Sequence, residues 1–126
     1  MSAPVPRSAL TPEDVRKVSP ALEHYTHNSI EEGLWKRPDL SARDRSIGTA
    51  SALIARNLTI GMLHYFNIAL DNGVTAAELS EIVTHLAFYS GWSNAFAAVA
   101  IVKYIFEKRG IGPDQLPCFS EASAAR

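Results

Sequence analysis

An all-α fold, a single-domain bundle of five to six helices, is predicted by three observations. Every boundary carries helix punctuation, no stretch alternates apolar and polar residues with period two, and apolar residues between the boundaries recur at helical spacing. The 126 residues suffice for one domain with a modest core and not for two. An apolar share of 47% is ordinary for a globular chain, so disorder is not the default reading. There is no internal repeat and no low-complexity segment.

Residues 1–18 read as an N-terminal arm and a short helix. Met1 to Leu10 carries two prolines and little apolar content and is expected to be extended. Thr11-Pro12-Glu13-Asp14 places an N-cap, a proline at the first helical position and an acidic residue three after the cap, which opens the short helix. Residues 19–110 form the helical domain. Ser19-Pro20 starts a helix carrying Leu22, Tyr25 and Ile30 and ending at Gly33; Leu34 to Leu40, with Trp35 and Pro38, is expected to be loop. Ser41-Ala42-Arg43-Asp44 reads as a capping box before a helix with Ile47, Ala50, Ile54 and Leu58 on one stripe.

After a break near Asn57-Leu58-Thr59 comes the stretch Thr59 to Thr75, which reads as a largely apolar helix with His64 and Tyr65 side by side at its middle. It closes on Asn72-Gly73. Thr75-Ala76-Ala77-Glu78 caps the next helix, with the stripe Leu79, Ile82, Val83 and Leu86, and Ser90-Gly91 ends it. The last long helix is expected to start at Ser93 or Asn94 and to stop at Gly110. Residues 111–126 are a tail with two prolines and small or polar residues at its end, mobile or lying on a neighbour.

The last helix reads AFAAVAIVKYIF, apolar nearly all round. Such a helix must be covered on every side, and a chain this short has few elements to do so. A homo-oligomer is therefore predicted, with Ala95, Ala97, Ala98 and Ala100 allowing close approach; the alternative is a monomer with this helix at its centre.

A formal net charge of −1, with both signs interspersed, gives no footprint for nucleic acid or an anionic membrane. Cys118 is the single cysteine, so neither an intrachain disulfide nor a dithiol couple can form, which fits a reducing compartment. The N-terminus lacks the apolar run of about 7–15 residues that marks a secretory signal. The longest apolar run, Ala95 to Val102, is far below the roughly 20 residues of a membrane helix. A soluble cytoplasmic protein is expected.

Four segments in order, Leu40-Ser41-Ala42-Arg43-Asp44-Arg45, Ala69 to Thr75, Glu78 to Ile82 and Ala87 to Ala95, resemble the carboxymuconolactone decarboxylase family of the alkylhydroperoxidase-D-like fold. The resemblance covers roughly Tyr25 to Gly110 and implies an all-helical fold assembled as homotrimers or homohexamers. It also implies cofactor-free decarboxylation of a carboxylated lactone in aromatic compound catabolism. A second branch of the family is a peroxidase using a Cys-x-x-Cys pair, a histidine and a glutamate. By correspondence from Arg45, its two cysteines fall on Leu58 and Gly61, its glutamate on Ser46 and the shared histidine on Tyr65. Peroxide reduction needs a thiolate, a resolving thiol and a base, so a thiol peroxidase is disfavoured. Where the family usually reads Tyr-His, this chain reads His64-Tyr65. Neighbours on a helix point about 100° apart, so His64 does not automatically take the imidazole's place.

Loss of CO2 from such a lactone needs an electron sink, which is the substrate's own carbonyl. The protein stabilises the oxyanion and delivers a proton to carbon. His64 is the candidate proton donor and Tyr65 the candidate oxyanion donor, and packing is the alternative role for both. Trp35 in its Pro-flanked loop is a candidate lid, or a loop anchor. Arg45 would neutralise a substrate carboxylate or serve an ion pair. His85 and Tyr89 are candidate pocket walls. Glu81 and His85 share a face, yet without a third ligand they make no metal site, and no metal or cofactor is expected. His24 and His27 read as a solvated face, and Cys118 is given no role. The expected function is a cofactor-independent lyase or isomerase acting on a small carboxylated carbonyl compound. The alternative is a non-catalytic oligomeric binding or scaffold protein that kept the fold.

Overall fold

A computed structural model describes residues 10–119, and among them every regular element is helical. The N-terminal arm except Leu10, and residues 120–126 of the tail, lie outside the described residues. The α-helices are α1 (Pro12–Val18), α2 (Pro20–Tyr25), α3 (Ala42–Ala55), α4 (Thr59–Asp71), α5 (Ala76–Ser90) and α6 (Trp92–Arg109). Helices α3 to α6 form the body: α3 packs on α4, α5 and α6, while α4 also lies along α6.

The local caps explain most boundaries. Thr11 and Thr75 each accept from the amide three residues on, and Asp14 and Glu78 return the bond to the cap's own amide. Ser41 accepts from the Asp44 amide at 3.0 Å, but Asp44 takes Arg43 Nη1 instead of closing the box. Between α3 and α4, Asn57 adopts a φ of 52°, a left-handed conformation that asparagine tolerates better than most residues. The break predicted there is present.

Three local expectations shift. The second helix does not run as one α-helix to Gly33. It passes at Thr26 into a π turn, Thr26–Glu31, in which the Glu32 amide donates to the His27 carbonyl at 2.9 Å. The Thr26 hydroxyl donates back to the Leu22 carbonyl at 2.7 Å, a bond that bends a helix where it forms. The expected loop contains a 3₁₀ turn, Leu34–Lys36. Gly33 links the two turns, and a Cβ there would lie 2.5 Å from the Ser29 carbonyl oxygen, so only glycine fits. Finally, α6 begins at Trp92. Gly91, at φ 101°, turns the chain, and Asn94 does not cap because its amide donates to the carbonyls of Ala55 and Ser90, each at 3.1 Å.

The core is formed by Ala50 and Ile54 of α3, Met62, Phe66 and Ala69 of α4, Val74, Leu79 and Val83 of α5 and its approach, and Ala98, Val102 and Ile105 of α6. Ala50 with Ile54, and Leu79 with Val83, lie on stripes that helical spacing predicted, whereas Leu58 of the α3 stripe lies beyond the end of that helix and is exposed. Among the described residues, one polar side chain is buried with the core residues. Ser46 donates to the Ala42 carbonyl at 2.8 Å and accepts from Asn72 Nδ2 at 3.1 Å, which ties α3 to the end of α4. Two charged contacts cross the body: Arg43 of α3 pairs with Glu78 of α5, and Arg109 of α6 reaches Asn67 and Asp71 of α4. Helix α6 buries one face; on the other, Phe96 and Val99 are 66% and 48% exposed, continuous in sequence with exposed Trp92, Tyr89 and Phe88. No described helix is long and apolar enough to cross a membrane.

Candidate active site

The π turn and the 3₁₀ turn lie against α4 and the start of α3, and a cleft of about 380 Å³ opens between them. Its lining falls into two groups. Helix α4 contributes His64, Tyr65, Ile68 and Asp71, together with Asn72 that ends it. Ile30, Glu31, Trp35 and Lys36 contribute the opposite wall, with Ala42 at the start of α3. Residues 64, 68 and 71 follow the i, i+4, i+7 spacing of one helix face, and 65, 68 and 72 follow i, i+3, i+7. That explains why two neighbours pointing about 100° apart can line one concavity: the cleft is wide enough to span both directions.

Aromatic contacts fix the centre. The Trp35 and Tyr65 rings stack, with centroids 6.0 Å apart and planes 15° from parallel. The His64 ring meets the Tyr65 ring edge-on at 4.8 Å and 72°. Trp35 is thereby both wall and anchor, since the stack holds the 3₁₀ turn to α4. Tyr65 is half-buried, while His64 is exposed. Burial raises the Tyr65 hydroxyl above its ordinary pKa of 10.0, and the nearby negative charge of Glu31 adds to the rise. The phenol is therefore a neutral hydrogen-bond donor throughout the physiological range.

The charged lining is anchored from outside. Glu31 Oε2 is held by His27 Nδ1 at 3.1 Å, one turn back. Asp71 Oδ1 accepts from Arg109 Nη2 at 2.8 Å. Asn72 is fixed through its bond to Ser46.

Trp35, His64 and Tyr65 thus come together, and the other sequence-selected residues do not join them. Arg45 is absent from the lining. Its Nη2 donates to the Arg37 carbonyl at 3.4 Å, and its Nε is buried without a partner. His85 and Tyr89 lie on the exposed face of α5, their rings 4.8 Å apart and Tyr89 78% exposed. Among the described residues, no three His, Cys, Asp or Glu side chains gather as a metal site. Leu58 immediately precedes α4 and Gly61 lies in its first turn, and Cys118 is exposed in the tail. Sequence reasoning missed Glu31, Lys36, Asp71 and Asn72. The helical stripe from His64 signals Asp71 and Asn72; no spacing signals the other two, because they arrive by tertiary docking.

The structure is a small all-helical domain with an aromatic-walled cleft of the volume that a small molecule fills. The chain belongs to the carboxymuconolactone decarboxylase family, which matches residues 20–104. It is 30% identical over 83 residues to 4-carboxymuconolactone decarboxylase of Acinetobacter baylyi, covering 66% of this chain and 62% of that protein. It is also 30% identical over 70 residues to nitrosuccinic acid decarboxylase of Metarhizium robertsii, covering 56% of this chain and 49% of that protein. The matches therefore span about three fifths and one half of these relatives' lengths.

Proposed function

We propose that the protein is a cofactor-independent decarboxylase acting on a small carboxylated lactone or related carbonyl compound. The observation that carries this reading is the shared cleft of Tyr65 and His64, in a chain whose relatives are named as decarboxylases of carboxylic acids. The substrate's carbon–carboxylate bond breaks, CO2 leaves, and the electron pair moves to the substrate carbonyl as an enolate. Tyr65, a protonated phenol whose pKa burial raises further, donates to the enolate oxygen. His64 delivers a proton to carbon, and its exposure lets water recharge the imidazole after each turnover. Trp35 closes the apolar side of the cleft. Self-association as a homotrimer or homohexamer belongs to the same proposal, supported by the exposed stripe Phe88, Trp92, Phe96 and Val99. So do a cytoplasmic setting and a place in aromatic compound catabolism.

A second reading is a binding protein that kept the fold without the chemistry, favoured by Tyr65 standing where the family's histidine belongs. CO2 release from a panel of lactone acids and β-keto acids separates the two. The decarboxylase reading expects turnover by the parent, a loss of about 100-fold or more in Tyr65→Phe, and abolition in His64→Ala. Turnover equal in parent and both variants removes the site assignment. An ordered protein inactive on the whole panel favours the binding protein.

A further inference from the structure

The charges around the cleft are unequally satisfied. Of its three charged lining residues, Glu31 and Asp71 are held by His27 and Arg109 from outside the cavity. Lys36 is the third, and among the described residues no ion pair holds it. Of the other cations nearby in sequence, Arg37 is paired with Asp39 at 3.0 Å, and Arg45 does not line the cleft. Lys36 also sits in the 3₁₀ turn whose Trp35 is stacked on Tyr65, so its backbone is fixed beside the aromatic centre while its flexible stem lets the ammonium follow a ligand.

We infer that Lys36, rather than Arg45, holds the carboxylate that the substrate keeps in the product. This rests on the decarboxylase reading above. A cation on the departing carboxylate would stabilise its charge in the ground state, while that charge is draining into the carbonyl during the reaction. A cation on a second carboxylate is indifferent to that change and contributes binding and orientation only. Lys36 is therefore a specificity residue for acids that carry one carboxylate more than they lose.

The test uses the full chain and succinate as the probe, with succinamide as its neutral counterpart. The chain has two tryptophans, so the Trp35 indole N–H signal is assigned by its persistence in Trp92→Phe and followed by NMR. Saturable succinate shifts are expected in the parent, weakened about five- to tenfold in Lys36→Met and largely restored in Lys36→Arg, while succinamide binds weakly to both parent and Lys36→Met. Equal succinate affinity in parent and Lys36→Met, or no saturable shift in the parent, overturns the inference. On any acid that is turned over, Lys36→Met is expected to raise KM with kcat nearly unchanged. A fall in kcat at constant KM places Lys36 on the departing carboxylate and also overturns it. A parent that binds succinate through Lys36 but releases CO2 from no acid refutes the decarboxylase reading and leaves the anion contact standing.

Discussion

Replacing Arg109 by alanine tests how the site helix is held. The guanidinium donates to Asn67 Oδ1 at 2.9 Å, to the Asn67 carbonyl at 3.2 Å and to Asp71 Oδ1 at 2.8 Å, fastening the end of α6 to α4. The Arg109 side chain is 32% exposed and that of Asp71 65%, so the ion pair itself contributes at the low end of about 0–1 kcal/mol. The two bonds to Asn67 add roughly 0.5 kcal/mol each at this exposure. The sum is about 1–1.5 kcal/mol, or a fall in Tm of about 5 °C for a domain of this size. Urea unfolding should show a lower midpoint with an unchanged slope, because the folded surface is the same. Arg109→Lys keeps the charge without the planar fork and should recover less than half of the loss. A loss below about 0.3 kcal/mol, or full recovery in Arg109→Lys, refutes the clamp.

Phe66 is fully buried in the centre of α4, and Phe66→Ala should cost about 3–5 kcal/mol, measured by chemical denaturation. In Glu78, the Thr75 backbone amide and then Arg43 hold the carboxyl below its usual value of 4.5. A depressed folded pKa makes that stabilisation full above the unfolded value and lost as pH falls through the folded one, so Glu78→Gln should flatten the acid limb of a Tm–pH curve. Glu31→Gln should lower the Tyr65 pKa yet leave it above 10.0, since burial is the larger cause; tyrosine ring NMR against pH checks both statements. Because that pKa is raised on folding, the Tyr65 contribution to stability is complete below the unfolded value and lost as pH rises through the folded one.

The fold was legible because its signals are local. Thr11, Ser41 and Thr75 each act within three residues, and the buried stripe Ala50–Ile54 or Leu79–Val83 follows from helical spacing alone. The π turn was not legible, since Thr26 bonding back to Leu22 is one of several bonds a threonine makes. In the site, Trp35, His64 and Tyr65 came from the family pattern and from the rarity of protonatable groups on an apolar helix. His85 and Tyr89 lie one turn apart and share a helix face, but spacing fixes only which residues share a face, not what that face meets. Here it meets solvent in the single chain. Glu31 and Lys36 depend on how the turns dock against α4, a long-range fact with no counterpart in spacing.

The π turn also bears on how this cleft changes over descent. A π turn holds one residue more than the α-helical turn it replaces. Deleting a single residue between Thr26 and Ser29 would restore α-helical bonding and narrow the backbone there, while Ile30 and Glu31 keep roughly their direction relative to α2. Helices α3 to α6 and their core would be untouched, because Thr26–Glu31 contributes no buried residue. Loss or gain of one codon there alters the backbone of one wall of the cleft without a single core substitution. The backbone of this wall can thus be altered separately from the inheritance of the fold.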